Sequence, residues 1–304
     1  MSDAPLAKGN RNKQFKAGYV AILGYPNAGK STLLNQLLKY KLSIVSHKPQ
    51  TTRKKVVGIL TQDKTQVIFI DTPGLLDPKY NLQQVMRNYI NLAIDDADVL
   101  LYLIDVTYNS KPDFNIKSFF SKIKKPIILA INKIDLIEKK KLLPIISGYN
   151  SKINFSAIIP ISALKDDGID QLKKEIDNCL PECPPYFPPD FLTDQQERFF
   201  TSEIIREKIF ESYGDEIPYA THVQIEDFKE RPQRKDYISA VIYVEKESQK
   251  GILIGKDGRA LKKIGRTARL QIEKFLGRPV FLELNVKVLE DWRRKDAKLK
   301  ELGY

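Results

Sequence analysis

From Lys16 to Leu180 the chain alternates short runs of β-branched and aliphatic residues with stretches whose apolar positions recur every three or four residues. The runs Tyr19–Leu23, Val56–Thr61, Gln66–Ile70, Val99–Ile104, Ile127–Ile131 and Ala157–Ile161 predict strands. Several are apolar throughout, as strands covered on both faces are. Helical spacing predicts helices over Lys30–Leu38, Leu82–Ile94, Asn115–Ile123, Lys139–Gly148 and Ile169–Leu180. This alternation predicts an α/β domain over residues 17–180, a mostly parallel sheet with helices on both sides, behind a polar extension at 1–16.

Five prolines then fall between Pro181 and Pro189. Proline lacks an amide donor and fixes φ, so neither helix nor sheet runs through it. Residues 181–193 read as a stiff, extended linker. Beyond it the pattern predicts a second, α+β domain over 194–304. Its elements are a helix (Asp194–Ser212), two strands (His222–Phe228, Tyr237–Val244), a short helix ending near Ile254, a helix (Arg259–Leu276), a strand (Val280–Leu289) and a tail helix (Asp291–Leu302). Trp292 is able to stack on a base or pack in the core, and packing is the expectation.

Composition adds a partner class. The 304 residues include 50 Lys or Arg and 38 Asp or Glu, a formal net charge of +12. No apolar run approaches the roughly 18–20 residues that cross a bilayer, and the polar N-terminus lacks a signal-peptide core, so a cytoplasmic protein is expected. The excess charge points to nucleic acid or an anionic membrane surface. It is unevenly placed: residues 1–55 carry +10, 56–183 are neutral, 184–250 carry −5 and 251–304 carry +7. The first patch includes Lys30 and the cluster Arg53, Lys54 and Lys55, for which RNA is a candidate partner. Cys179 and Cys183, far in sequence from His47 and His222, read as free thiols in a reducing compartment.

Chemistry enters at Gly24-Tyr-Pro-Asn-Ala-Gly-Lys-Ser31, which fits GxxxxGK[ST] between a strand and a helix. Gly24, Asn27, Ala28, Gly29, Lys30, Ser31 and Thr32 form the candidate phosphate loop. Its glycines let backbone amides close around a phosphate chain at a helix N-terminus. Lys30 is expected to reach the β and γ phosphates and Ser31 to ligate Mg2+. Asp71-Thr-Pro-Gly74 ends a strand, where Asp71 can hold the metal through water and Gly74 can offer its amide to a γ-phosphate. Asn132-Lys133-Ile134-Asp135 follows another strand. The Asp135 carboxylate suits the N1 and N2 hydrogens of guanine, selecting GTP/GDP over adenine nucleotides. Ser162-Ala163-Leu164 can present a backbone amide to guanine O6. A first switch is expected at Gln50–Arg53, with Thr52 adding its hydroxyl to the magnesium. Leu75 stands where small Ras-like GTPases carry a water-positioning Gln, so hydrolysis needs another device. The Asn27 pattern resembles that of GTPases whose asparagine helps hold K+ beside the phosphates.

In the second domain, Gly255-Lys256-Asp257-Gly258 joins two amphipathic helices. Ile252, Leu261, Ile264, Ala268, Ile272 and Phe275 mark a core face, which leaves Lys256, Arg259, Lys262, Lys263, Arg266 and Arg269 largely off it. A GxxG loop in a helix–strand–strand–helix–helix–strand order matches a type II KH domain. Its loop lets a nucleic-acid backbone approach closely, with about four unstacked bases in the groove beside the second strand. The basic stripe adds sequence-independent attraction.

A single GTPase domain carrying Gly24–Ser31, Gln50–Arg53, Asp71–Gly74 and Asn132–Asp135, joined to a KH domain carrying Gly255–Gly258, closely resembles the bacterial Era-like GTPase family. The resemblance runs from about Lys16 to the end. It implies GTP hydrolysis, binding of the 3′ end of 16S rRNA, help in maturing the small ribosomal subunit, and peripheral association with the inner membrane face. A monomer is expected. Ala28, where valine is common, and the extension before Lys16 depart from the family pattern. A passive RNA-binding scaffold with a structural nucleotide site is the alternative; intact Lys30, Asp71 and Asp135 argue against it. A tRNA-modifying or large-subunit GTPase is disfavoured by the single GTPase domain and the KH tail.

Overall fold

A computed structural model describes residues 14–46, 48, 50–108, 116–214 and 216–304. The N-terminal domain begins with β1 (Lys16–Leu23), α1 (Lys30–Leu38), β2 (Val56–Gln62), β3 (Thr65–Asp71), α2 (Asn81–Asp96) and β4 (Val99–Asp105). It continues through α3 (Ile116–Phe120), β5 (Ile127–Asn132), α4 (Leu142–Asn150), β6 (Ala157–Pro160) and α5 (Ile169–Cys179). The six strands lie in the order β2-β3-β1-β4-β5-β6, all parallel except β2, which pairs antiparallel with β3. Along β4 the side chains alternate between two cores. Val99, Leu101 and Leu103 meet α1 and α5, while Leu100, Tyr102 and Ile104 meet α2, α3 and α4. Burial on both faces is why these strands are continuous apolar runs.

The second domain runs α6 (Glu197–Ser212), α7 (Ile217–Ala220), β7 (His222–Lys229), β8 (Asp236–Val244), α8 (Glu247–Ile254), α9 (Arg259–Leu276), β9 (Val280–Val288) and α10 (Asp296–Glu301). β8 is central, antiparallel to β7 and parallel to β9. Ile205 and Ile209 of α6, Leu253 of α8 and Ile264, Ala268 and Ile272 of α9 cover one face of this sheet. Among the described residues, no helix is long and apolar enough to cross a membrane.

Several expectations are corrected. The tail helix is split into a 3-10 turn (Trp292–Arg294) and α10, because Asp291 is left-handed and Lys295 extended while the Trp292 indole drops into the core. Trp292 packs as expected: it is fully buried and donates Nε1–H to the Ala220 carbonyl at 2.9 Å. The helix expected over Asn115–Ile123 is confined to α3, and Asn115 lies outside the described residues, as do His47 and the polar extension up to residue 13. Residues 139–141 form a 3-10 turn ahead of α4. α6 starts at Glu197 rather than Asp194, and α7 is an element the apolar pattern does not predict.

The proline-rich segment is not a free spacer. Gln66 on β3 accepts the N–H groups of Tyr186 and Phe187 and donates to the Phe187 carbonyl. Further along, Leu192 O accepts the Ile59 N–H, and Thr193 Oγ1 donates to Val57 O. Prolines remove only their own donors, so the intervening amides and carbonyls strap the segment to the first sheet.

Candidate functional site

The candidate nucleotide residues gather at the C-terminal ends of β1, β3, β5 and β6, in the loops that follow and the first turn of α1, with Thr52 in the connection before β2. Strand C-termini are where α/β sheets place ligands. The loop after β1 needs its glycines. At Gly24 (φ 154°) a Cβ would lie 2.3 Å from the Leu103 carbonyl oxygen, and Gly29 is left-handed (φ 97°) at the cap of α1. Gly74 abuts the same loop, since a Cβ there would come within 2.7 Å of Pro26 N. The Leu75 N–H donates to Gly24 O at 3.0 Å, and the Leu75 side chain packs partly buried against the core on the α2 side of the sheet.

Lys30 is 6% exposed, and its ammonium donates to the carbonyls of Gly24 (3.0 Å) and Tyr25 (2.9 Å) across the loop. Burial brings its pKa down to about 8, with Asp71 pushing back up, so it carries its charge at neutral pH. Asp71 is fully buried. Its Oδ2 accepts from Ser31 (2.7 Å) and from Ser43 (3.1 Å), and Ser31 Oγ is 3.0 Å from Thr52 Oγ1. Burial raises the Asp71 pKa, opposed by Lys30 and by the three hydroxyls. Asp71 Oδ1 is buried without a hydrogen-bond partner. An orphaned carboxylate oxygen beside two further hydroxyls, all hard oxygen donors, fits a hydrated Mg2+.

The base-side candidates are drawn together by Asn132. Its side chain donates to Ala28 O (2.8 Å) and accepts from Ala163 N (2.9 Å), tying the phosphate loop to the loop after β6. Lys133 is left-handed (φ 66°) and pairs with Asp105 at the end of β4, a partner no motif announced. Asp135 is exposed at the site and accepts the Ser162 hydroxyl at 2.6 Å. In this structure the Ala163 N–H is engaged by Asn132 and the Ser162 N–H by Asp167 O. The Leu164 side chain is 75% exposed. Thr32 lies on the first turn of α1 and Asn27 is exposed in the loop with φ 64°.

The segment from Lys39 to Lys55 is where the domains meet. Arg53 is 3% exposed and donates to the carbonyls of Pro218, Tyr219 and Thr221, with its guanidinium over the Trp292 ring. Arg206 donates to Thr51 O, and Lys48 to the carbonyls of Phe210 and Tyr213. Glu207 on α6 takes Lys41, the Val45 N–H and Gln271 of α9. Lys54 sits over the Tyr304 ring. This corrects the expectation that Arg53 and Lys54 await RNA: both are engaged by the second domain. On the other side, Leu82 and Met86 of α2 share a core with Trp292, Leu299 and Leu302.

In the second domain, Gly255 (φ 69°, ψ 177°), Asp257 (φ 54°) and Gly258 (φ 72°) turn the chain from α8 into α9. A Cβ at Gly255 would lie 2.7 Å from Ala260 Cβ. Lys256, Arg259, Lys262, Lys263 and Arg266 are all exposed around this turn, opposite the buried Ile264, Ala268 and Ile272, whereas Ile252, expected on the core face, is 52% exposed and Leu253 takes its place in the core. Asp257 and Arg259 pair at 3.5 Å. The strand with a free edge beside these helices is β9. β8, the strand expected to border the groove, is paired on both sides and mostly buried.

Residues 19–133 match the family described as 50S ribosome-binding GTPase, and residues 216–293 match the KH domain family. GTPase Era of Ruminiclostridium cellulolyticum is 48% identical over 293 residues, covering 95% of this chain and 98% of that protein. GTPase Era of Geobacter metallireducens is 47% identical over 294 residues, covering 95% and 98%. The crystal structure of a point variant of Aquifex aeolicus Era bound to GDP·AlF4− superposes with a TM-score of 0.91 at 41% identity, over 95% of this chain and 99% of that one. Era in complex with MgGDPNP and nucleotides 1506–1542 of 16S ribosomal RNA gives 0.91 at 42% identity, over the same shares.

Proposed function

The chain belongs to the Era family of GTPases, and from that premise we propose that it binds the 3′ end of 16S rRNA and assists rRNA processing and 30S assembly under control of GTP. The observation that carries this reading is the junction just described. One segment, Lys39–Lys55, borders the Ser31–Thr52–Asp71 hydroxyl and carboxylate cluster and is also bonded to α6 and α7 of the KH domain. A relative of the same two-domain build takes MgGDPNP and an RNA of that sequence together.

On this reading residues 17–180 are the GTPase domain, 181–193 a strapped connector and 194–304 the RNA-binding domain. Lys30 neutralises the β and γ phosphates, and the loop amides from Asn27 to Thr32 hold them in place. Ser31, Thr52 and, through water, Asp71 hold magnesium. A magnesium ion held by these residues would neutralise part of the phosphate charge. Asp135 reads the guanine edge, with Ser162 orienting its carboxylate. Gly74 offers its amide as GTP arrives, and Thr52 links that event to the Lys39–Lys55 segment. Gly255–Gly258 admits the RNA backbone while Lys256, Arg259, Lys262, Lys263 and Arg266 attract it. A cytoplasmic location follows from that partner; an anionic membrane face is a secondary surface for the same cations.

GTP turnover with and without Lys30→Ala, together with crosslinking to RNA in cells and sequencing of the bound fragments, tests the reading. Turnover lost in the variant and fragments clustered at the 16S 3′ end support it. Turnover that persists in the variant, or fragments spread over unrelated RNAs, contradicts it.

A further inference from the structure

The two oxygens of Asp71 stand in different surroundings. Oδ2 accepts two hydroxyls, Ser31 at 2.7 Å and Ser43 at 3.1 Å, while Oδ1 has no hydrogen-bond partner. Ser31 carries a second duty, since its oxygen is a metal-ligand candidate. Ser43 carries none. It lies in the connection between α1 and β2, outside the phosphate loop, the Gln50–Arg53 segment and Asp71–Gly74, yet it is only 3% exposed. Its backbone is clamped from α1: Asn35 Oδ1 accepts the N–H groups of Leu42 and Ser43, both at 2.9 Å, and Asn35 Nδ2 donates to Ser43 O at 2.9 Å. Three hydrogen bonds to two adjacent residues fix the point from which the Ser43 hydroxyl projects.

A carboxylate turns easily about χ2, whose preference is broad and two-fold. Two donors on a single oxygen oppose that turn and hold the other oxygen, which has no hydrogen-bond partner, in one place. We propose that Ser43, held by Asn35, is a positioning residue for magnesium: it locks Asp71 so that Oδ1 is presented to the metal's water shell. The inference rests on the reading that Asp71 supports the metal.

The test is a magnesium titration of the retention of fluorescent GDP by the full chain, with thermal unfolding in EDTA alongside. Loss of an outer partner that orients a metal-supporting group costs about tenfold or more in metal affinity. Ser43→Ala therefore raises the half-saturating Mg2+ concentration about tenfold and leaves GDP affinity in EDTA unchanged. Ser43→Thr, which keeps the hydroxyl, stays within about twofold of the parent chain on the same argument. Ser43→Cys, of similar volume with a weak donor, carries the comparison if alanine unfolds the chain. Asp71→Asn separates the two ideas. A shift in Asp71→Asn without one in Ser43→Ala overturns the role of Ser43; no shift in either overturns the reading of Asp71 and the inference with it.

Discussion

At Asn27 the phosphate loop places an exposed amide side chain at a left-handed position, one turn before Lys30. Leu75, apolar and partly packed into the core, cannot orient water in the manner of glutamine. A potassium ion held with help from Asn27 would put a positive charge at the developing phosphate charge, and such a charge is worth more than about 1.4 kcal/mol, or tenfold. GTP turnover should therefore be at least about tenfold faster in potassium than in sodium, and Asn27→Ala should erase the difference; equal rates in both salts remove the idea. His222 makes a different prediction. It is almost wholly buried, its Nδ1 3.1 Å from the Tyr304 hydroxyl, and burial together with Lys54, Arg53 and Arg206 holds its pKa well below 6.5. The folded chain keeps it neutral while the unfolded chain protonates near pH 6.5, so the unfolded state binds more protons below that pH. Stability then rises with pH there, and its loss on acidification reaches about 1.4 kcal/mol per pH unit. Unfolding midpoints measured between pH 7.5 and 5.5 should fall, and His222→Gln should flatten the fall.

The helices α1 and α9 show what makes an element readable. Helical spacing predicts them at Lys30–Leu38 and Arg259–Leu276, and both are found there because glycines in left-handed conformation bound them: Gly29 before α1, and Gly258 and Gly277 at the two ends of α9. Elements whose limits depend on distant contacts are not readable in this way. α7 is a single turn around Pro218 whose neighbouring carbonyls receive Arg53, 165 residues away. The tail breaks where Trp292 finds a pocket beside α2. In the site, the spaced motifs from Gly24 to Asp135 are legible as local patterns. Ser43, Asp105 and Glu207 are not, since each acts through a partner far along the chain. The exposed cations of α9 yield a salt prediction. Each phosphate contact to single-stranded RNA contributes about 0.7 to the slope of log affinity against log salt. Lys262→Ala and Lys263→Ala should each weaken binding across unrelated sequences and flatten that slope by about 0.7; an unchanged slope would place the RNA elsewhere.

At the scale of the molecule, the +12 charge divides by duty. Of the N-terminal patch, Lys30 donates to carbonyls within its own loop, whereas Lys41, Lys48, Arg53 and Lys54 bind the second domain through carbonyls, a carboxylate and an aromatic ring. The C-terminal patch keeps its exposed cations around Gly255–Gly258. A nucleotide that orders Thr52 therefore acts on a segment whose other contacts are α6, α7 and the tail, and Glu207 joins the same segment to Gln271 on the helix that begins at the GxxG loop. Linkage requires RNA to raise GTP affinity by the factor that GTP raises RNA affinity, commonly about 5–150-fold. Arg53→Ala should shrink that factor while leaving nucleotide binding by the separate phosphate loop near its original strength. The most direct measurement is the affinity of the full chain for an RNA carrying the 16S 3′ end, with a non-hydrolysable GTP analogue and with GDP, at one salt concentration. The account predicts tighter binding with the analogue by at least about fivefold; equal affinities in the two nucleotide states would contradict it.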